Sequence, residues 1–276
     1  MSVFKKRVKI ISNGKVKGRY FSCLVQDKNI SSAARPGQFI NVKVADDLEP
    51  LLRRPFGVHK ANGRDIEVLY EVLGKGTEIL SQRKPGDYLD VIGPLGEGFS
   101  VSGERLAVIV AGGMGIAPLL FLAQTLINRK PKTTSLKPLV LIGAKTKTQI
   151  LCEEEFRKLG CDVKIATDDG SRGFKGKVTE LLNKILPLAI SHKPLAIYAC
   201  GPRPMLKEVS RISLKYNIPA QVSLEDHMAC GIGACLGCVV KVRSKEPGAG
   251  SSQYKRVCKE GPVFNAGEII WERRAR

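Results

Sequence analysis

The chain has 276 residues, of which 43% are hydrophobic and 26% charged, and a formal net charge of +19. This length allows two or three domains, and the composition is that of an ordinary globular protein. The first residues, Met-Ser-Val-Phe-Lys-Lys-Arg, lack the apolar run of a secretory signal, so we expect a cytoplasmic protein with reduced cysteines.

The basic excess is spread along the chain, with no basic tail and no basic helix interleaved with aromatic residues. Nucleic-acid binding usually depends on a concentrated basic patch. We therefore expect no nucleic-acid partner. The excess is better explained as a lysine-rich surface that faces solvent, anionic cofactors or an acidic partner.

Residues 1–102 read as short alternating strands between turn signals such as Pro36-Gly37 and Pro85-Gly86. Several short strands with little helix predict an antiparallel β-barrel. The strands are expected at residues 7–11, 19–25, 39–44, 57–60, 66–72 and 88–92.

Residues 103–215 alternate between strands and helices, which predicts a Rossmann-like α/β domain with a parallel sheet. The strands are expected at residues 107–110, 139–142, 163–166 and 195–200. The helices are expected near residues 118–128, 153–159, 178–186 and 204–215.

One stretch of this region resembles a membrane span, because residues 106–127 carry no charge and approach the ~20 residues that a transmembrane helix needs. Three glycines and Pro118 interrupt the stretch. A buried strand, a tight loop and a helix explain it better, so we expect no membrane association.

Residues 216–276 contain four cysteines, Cys230, Cys235, Cys238 and Cys258, separated by four, two and nineteen residues. This spacing is typical of the loops that bind a [2Fe–2S] cluster through thiolates. A zinc site is the main alternative to the cluster, although structural zinc sites usually pair their cysteines at both ends. Disulfide bonds are a third possibility. The region is too short for a core of its own, and we expect its cluster to hold it together.

Two loops of the α/β region suggest a dinucleotide site. Gly112, Gly113 and Gly115 follow the first strand and precede a helix, so the backbone can approach a pyrophosphate at a helix N-terminus. Cys200 and Gly201 follow the last strand and should face the same crevice, since ligands lie beyond the carboxyl ends of parallel strands. A purely structural strand–helix turn remains the alternative for each loop.

The barrel offers weaker signals. Arg54 can clamp a phosphate through its guanidinium, and the Phe56 ring can lie against a flavin, although each is common as a surface charge or a core residue. Gly76 and Thr77 stand in a glycine turn before a helix, where backbone N–H groups suit phosphate oxygens.

Together these pieces resemble the ferredoxin-reductase superfamily, in which a flavin-binding barrel with an Arg-x-aromatic-Ser/Thr motif precedes an α/β nicotinamide domain. That domain has a Gly-Gly-x-Gly-x-x-Pro loop and a Cys-Gly-Pro-x-x-Met loop, here at residues 112–118 and 200–205. Residues 52–56, 166–171, 228–238 and 257–264 are similar to the electron-transfer subunits of the NAD-dependent (class 1B) dihydroorotate dehydrogenases.

The resemblance implies three domains: an FAD-binding barrel at 1–102, an NAD-binding domain at 103–215 and a [2Fe–2S] domain at 216–276. It implies no catalytic side chain but a set of cofactor contacts. For FAD these are Arg54, Pro55, Phe56, Gly57, Leu69, Tyr70, Glu71, Gly76 and Thr77; for NAD they are Gly112, Gly113, Gly115, Cys200 and Gly201. The four cysteines would bind the cluster.

The resemblance also implies a partner, an FMN-containing dihydroorotate dehydrogenase subunit in a two-plus-two heterotetramer of pyrimidine biosynthesis. Two alternatives stay open. One is a related flavin/iron–sulfur subunit serving a sulfite reductase, a hydrogenase or a bifurcating transhydrogenase, and the other is a zinc-stapled binding module. The family likeness favours NAD, while Lys145 and Lys147 leave NADP open.

Two positions depart from the family pattern. Gly57 stands where a hydroxyl residue usually contacts flavin N5, and Glu71 stands where a basic residue is common. His59, His192 and His227 are expected to be structural or exposed, because electron transfer between the carriers needs no side chain to act as a nucleophile or a metal-bound base.

Overall fold

The computed structural model describes residues 2–101, 106–129, 137–189, 194–244 and 252–272. The predicted boundary at 102/103 and the predicted role of His192 lie outside the described residues. None of the helices in the described ranges is long and apolar enough to cross a membrane.

The first part of the chain folds into the predicted barrel, closed by the pairing of its first and last strands in the order β1-β2-β5-β4-β3-β6. Alternate side chains such as Val8, Ile10 and Val25 point inward and form its core. The elements are β1 (Phe4–Lys17), β2 (Tyr20–Gln26), α1 (Lys28–Ala33), β3 (Phe39–Lys43), β4 (Arg54–Asn62), β5 (Asp65–Glu71), α2 (Lys75–Gln82) and β6 (Tyr88–Leu95).

The short helix α1 was not predicted from the sequence. The carboxylate of Asp27 accepts a hydrogen bond from the Ile30 N–H (2.9 Å) and so caps this helix at its N-terminus. An aspartate at this position was the available signal, but a six-residue helix is too short for an apolar periodicity to show.

The predicted parallel α/β sheet is confirmed, and the charge-free stretch is its first strand, a 3₁₀ turn at Gly113–Gly115 and a helix. The strand order is β10-β9-β8-β7-β11-β12-β15. The elements are β7 (Leu106–Gly112), α3 (Ile116–Arg129), β8 (Leu139–Ala144), α4 (Glu153–Lys158), β9 (Asp162–Thr167), β10 (Phe174–Lys175), α5 (Val178–Ala189), β11 (Leu195–Cys200), α6 (Arg203–Lys215) and β12 (Ala220–Ser223).

The C-terminal part adds a hairpin of β13 (Val239–Arg243) and β14 (Ser252–Arg256), followed by β15 (Val263–Asn265). β15 pairs antiparallel with β12 and so joins the edge of the main sheet. Cys238 and Cys258 belong to the same buried cluster as the sheet residues Val108 and Val110. Strand pairing and packing in a shared core therefore anchor the cysteine region. The sequence had predicted only that a cluster would hold it together.

Candidate functional site

A cavity of about 320 Å³ lies where the barrel meets the carboxyl edge of the sheet. Eight of the residues predicted for cofactor contact line it: Pro55, Phe56, Gly57, Leu69, Tyr70, Glu71, Thr77 and Cys200. The structure thus brings barrel positions and one loop of the α/β part to a single cleft. Arg54, Gly76, Gly112, Gly113, Gly115 and Gly201 are not among its lining residues.

The aromatic part of the cleft is held from inside the barrel. Phe56 is buried on β4, and its ring centroid lies 5.6 Å from that of Tyr70 on β5. The Tyr70 hydroxyl donates to the Asn13 side-chain oxygen (2.9 Å), and burial raises the pKa of Tyr70. The tyrosine therefore stays neutral and presents a fixed apolar surface to the cleft.

Glu71, one of the two departures from the family pattern, is paired. Its carboxylate lies 3.4 Å from Arg19 Nε at the start of β2. An acid at this position therefore sits beside a basic group supplied by the neighbouring strand.

Arg54 and Gly76 form one packed unit beside the cleft. A Cβ on Gly76 would lie 2.5 Å from Arg54 Nε, so the guanidinium occupies the space that a side chain would take. The Thr77 hydroxyl accepts from the backbone N–H of Leu73 (3.0 Å) and fixes the turn before α2. The turn thus places an arginine and a helix N-terminus together, which is an arrangement suited to phosphate.

The two glycine loops of the α/β part, which were predicted to face one crevice, lie in contact with each other. β7 and β11 are adjacent, and a Cβ on Gly115 would lie 2.3 Å from the Cys200 carbonyl carbon. The second loop also covers the first, since the Met205 sulfur fills the space beside Gly112. Only a glycine at 112 or 115 permits this contact.

Sequence reasoning missed the far wall of the cleft, which comes from the end of β12, its following loop, the α3 entry and the cysteine region. These lining residues are Met114, Ala117, Pro118, Ser223, Leu224, Glu225, Asp226, Met228 and Pro262. Pro118 packs 3.6 Å from where a Gly57 Cβ would stand. Gly57, the other position that departs from the family pattern, therefore faces a proline ring, with room for a small side chain. A parallel strand ending at Ser223 was the signal available in the sequence.

Cys200 ends β11 as a fully buried thiol. Burial, followed by the charge of Glu225, raises its pKa. The thiol is therefore neutral and unsuited to act as a nucleophile or a thiolate ligand.

The four predicted cluster cysteines come together in one loop and the turn after β14. The Ala234 and Cys235 N–H groups point at Cys230 Sγ (3.3 and 3.4 Å), and the Cys258 N–H points at Cys238 Sγ (3.4 Å). Burial acts to raise the pKa of Cys230, but hydrogen bonds from the Ile232, Cys235 and Ala234 backbone and from the Cys235 side chain lower it to about 6. Burial raises the pKa of Cys258 to about 12.

These contacts link the four cysteines as two pairs, because the Cys235 N–H points at Cys230 Sγ and the Cys258 N–H points at Cys238 Sγ. Among the described residues, no three of these four sulfurs form a group within 4.8 Å of one another. A single tetrahedral zinc with Zn–S of about 2.3 Å would hold all four roughly 3.8 Å apart. Two pairs fit two irons better than one zinc, and all eight cysteines are free of disulfides.

Two contacts hold the cysteine loop in place. Asn41 on β3 donates through Nδ2 to the Cys230 carbonyl (3.1 Å), and Gly231 leaves room for that amide. On the other side Arg256 donates to the Gly233 carbonyl (2.7 Å) and pairs with Glu260. This hydrogen bond with Arg256 lowers the pKa of Glu260 to about 2.

His59 is buried on β4, with its Nδ1 2.7 Å from the Ala117 carbonyl oxygen, and burial lowers its pKa. His227 is exposed.

A barrel, a parallel dinucleotide sheet and a four-cysteine loop around one cleft define a ferredoxin-reductase-like oxidoreductase. Residues 225–270 match the iron–sulfur cluster binding domain of dihydroorotate dehydrogenase B, and residues 109–211 match the oxidoreductase NAD-binding domain. Relatives that are 44% and 39% identical over most of their length show that the chain belongs to the family of dihydroorotate dehydrogenase B (NAD(+)) electron transfer subunits.

Two relatives with that name establish the family. The Desulforamulus reducens subunit is 44% identical over 248 residues, covering 88% of this chain and 90% of that protein. The Bacillus caldolyticus subunit is 39% identical over 274 residues, covering 96% of this chain and 98% of that protein.

Solved structures agree in fold. One chain of the NADH-dependent reduced ferredoxin-NADP oxidoreductase, studied for flavin-based electron bifurcation, superposes with a TM-score of 0.80 at 29% identity, covering 96% of this chain and 90% of that one. The ferredoxin reductase of carbazole 1,9a-dioxygenase shares the fold, with a TM-score of 0.67 at 19% identity over 79% of this chain and 68% of that one. The matched domains and the fold support [2Fe–2S], NAD and FAD as the cofactors.

Proposed function

We propose that this chain carries electrons between an FMN-containing dihydroorotate dehydrogenase subunit and NAD, through a [2Fe–2S] cluster and FAD, in pyrimidine biosynthesis. One observation carries the proposal: a cleft shared by barrel and sheet lies beside a loop with two pairs of cysteines. Family membership supports the partner, and a cytoplasmic location suits thiolate ligands that must stay reduced.

The residues present fit FAD, NAD and a [2Fe–2S] cluster. Arg54, Gly76 and Thr77 would hold the FAD pyrophosphate, because the guanidinium already rests on the glycine at a helix N-terminus. Pro55, Phe56, Gly57 and residues 69–71 line the cleft and would hold the flavin ring there.

Gly112, Gly113, Gly115, Cys200 and Gly201 would bind NAD, since the two glycine loops meet at the edge of the sheet. Cys230, Cys235, Cys238 and Cys258 would bind the cluster. The backbone N–H groups directed at Cys230 and Cys238 would stabilise the negative charge on its thiolates.

When bound, FAD supplies the exchange between the two-electron chemistry of NAD and the one-electron chemistry of the cluster. The task of the protein is to position these groups. Phe56 and Pro118 limit the cleft from opposite domains, and the neutral Cys200 thiol adds no charge to it. Asn41 ties the cysteine loop to the strand next to the flavin-binding β4.

We also propose that the cysteine loop faces the partner. Cys235 is exposed, and the apolar side chains of Ile232 and Leu236 beside it are exposed as well. Apolar residues around a cluster edge suit a permanent interface. A two-plus-two assembly would place two such loops against two catalytic subunits.

The experiment is to combine the purified, cofactor-loaded chain with the FMN-containing subunit and to measure NADH formed from dihydroorotate and NAD+ without oxygen. We expect activity only when both subunits are present. Activity restricted to sulfite or hydrogen as the co-substrate would overturn the choice of partner, and a colourless protein containing only zinc would overturn the electron-transfer role.

A further inference from the structure

A second group of potential metal ligands lies outside the cleft and the cysteine loop. One ring nitrogen of His59, the Cys152 sulfur and a carboxylate oxygen of Glu155 all lie within 4.8 Å of one another. Among the residues that the structure describes, this is the one group of three such ligands that is this compact. Neither the cofactors nor the partner accounts for it.

The three ligands come from both halves of the molecule. His59 lies on β4 of the barrel, while Cys152 directly precedes α4 and Glu155 lies in its first turn. An ion held by all three would join the barrel to the α/β sheet.

His59 is already oriented as a metal ligand would be. Its ring is 1% exposed, and its Nδ1–H donates to the Ala117 carbonyl oxygen at 2.7 Å. This leaves Nε2 as the nitrogen with a free lone pair. Metal-binding histidines almost always donate their other N–H to a carbonyl or carboxylate, which fixes the ring and its tautomer.

The charges also balance. A Cys152 thiolate and the Glu155 carboxylate would neutralise a divalent cation. The neighbouring Glu67 carboxylate is already paired, since it lies 3.0 Å from Lys60 Nζ and accepts a hydrogen bond from Ser22 (2.6 Å). One nitrogen, one sulfur and one oxygen form a donor set suited to Zn²⁺, whereas Mg²⁺ and Ca²⁺ prefer oxygen alone.

We propose that His59, Cys152 and Glu155 bind a zinc-class divalent cation that fastens the barrel to the α/β part. The three side chains leave a fourth tetrahedral position for water. The Ala117 carbonyl that orients His59 directly precedes Pro118, which packs on Gly57 in the cleft. The ion would therefore stabilise the contact between the two walls of the cofactor cleft.

The test uses the full-length, cofactor-loaded protein, exposed to a chelator, dialysed and titrated with Zn²⁺. Bound zinc is counted by elemental analysis, and its neighbours are read from zinc-edge X-ray absorption. We expect one zinc per chain with a single sulfur neighbour at about 2.3 Å. Zinc surrounded by four sulfurs would instead occupy the cluster cysteines, and that result would overturn the proposal.

Glu155→Gln is the main variant, because Glu155 is only half-buried and its loss should leave the fold intact. Its neighbour Glu154 is exposed, so Glu154→Gln is the matched control. We expect Glu155→Gln to weaken zinc binding roughly tenfold or more and Glu154→Gln to leave it unchanged.

We expect zinc to raise the melting temperature of the wild type. Cys152→Ser should remove both this rise and the single-sulfur signal. Equal zinc affinity in the wild type, Glu155→Gln and Glu154→Gln would contradict the site, even if Cys152→Ser failed to fold. The outcome does not depend on the proposed function, because zinc binding is read without turnover.

Discussion

Gly74 caps the N-terminus of α2 and Gly76 lies in its first turn, yet their surroundings differ. A Cβ on Gly76 would meet the Arg54 guanidinium at 2.5 Å, whereas a Cβ on Gly74 would meet nothing within 4 Å. The guanidinium is the mobile end of a long side chain. An added methyl group at 76 would therefore displace Arg54 rather than unfold the barrel.

We expect Gly76→Ala to weaken FAD binding by roughly tenfold, the equivalent of about 1.4 kcal/mol, with little change in melting temperature of the FAD-free protein. Gly74→Ala is the control and should bind FAD nearly as the wild type does. Fluorescence titration of released and rebound FAD measures both. Equal losses in the two variants would mean that Arg54 does not hold the pyrophosphate.

Glu225 gives the cleft an acidic wall opposite the barrel. A carboxylate there attracts the positively charged nicotinamide ring of NAD+ but not the neutral ring of NADH. We expect Glu225→Gln to weaken NAD+ binding several-fold more than NADH binding.

Calorimetric titration with each nucleotide tests this. The exposed Glu154→Gln serves as a charge-matched control. An equal loss of affinity for the two nucleotides would refute the charge preference.

At the scale of elements, the cysteine loop depends on the barrel strand β3. Asn41 is almost fully buried, and its Nδ2 donates to the Cys230 carbonyl. Gly231, with φ of +69°, brings the loop backbone against this amide. The contact joins residues that are 189 positions apart, so local sequence gives no sign of it.

We expect Asn41→Ala to let the cluster be lost several-fold faster when an iron chelator is added, because the loop loses its hydrogen bond to the barrel. Asn62→Ala, at the exposed end of β4, is the control. Bleaching of the iron–sulfur absorbance gives the rate. Identical rates in the two variants would show that Asn41 does not hold the loop.

The elements that sequence predicted well are those with a local signature. The six barrel strands follow from alternation between turns, and the strand–turn–helix at 106–129 follows from glycines inside an apolar run. The spacing of the cysteines also had a local signature. The features that the sequence did not predict depend on long-range contacts. These are the pairing of β15 with β12 at the edge of the sheet and the far wall of the cleft at residues 223–228.

At the scale of the whole molecule, the cluster loop exposes apolar side chains on a chain that is strongly basic. Ile232 and Leu236 expose more than half of their surface beside Cys235. Exposed apolar groups of this kind mark a contact surface when they cluster. Leu188 on α5 is also exposed but lies away from the cysteine loop.

We therefore expect Leu236→Lys to weaken association with the FMN-containing subunit by roughly tenfold or more, since a charge would be buried at the interface. Leu188→Lys should associate as the wild type does. Analytical ultracentrifugation of the mixed subunits measures both. Equal association of the two variants would exclude the cysteine loop from the interface.

The relay itself can be followed in the isolated chain by mixing it with NADH without oxygen and recording the flavin and iron–sulfur absorbance together. With FAD bound, both signals should bleach. After FAD has been removed, the iron–sulfur signal should remain unchanged, because NADH gives up two electrons as a hydride and the cluster accepts one. Reduction of the cluster without FAD, or no reduction of the cluster with FAD present, would contradict electron transfer from NAD through flavin to the four cysteines.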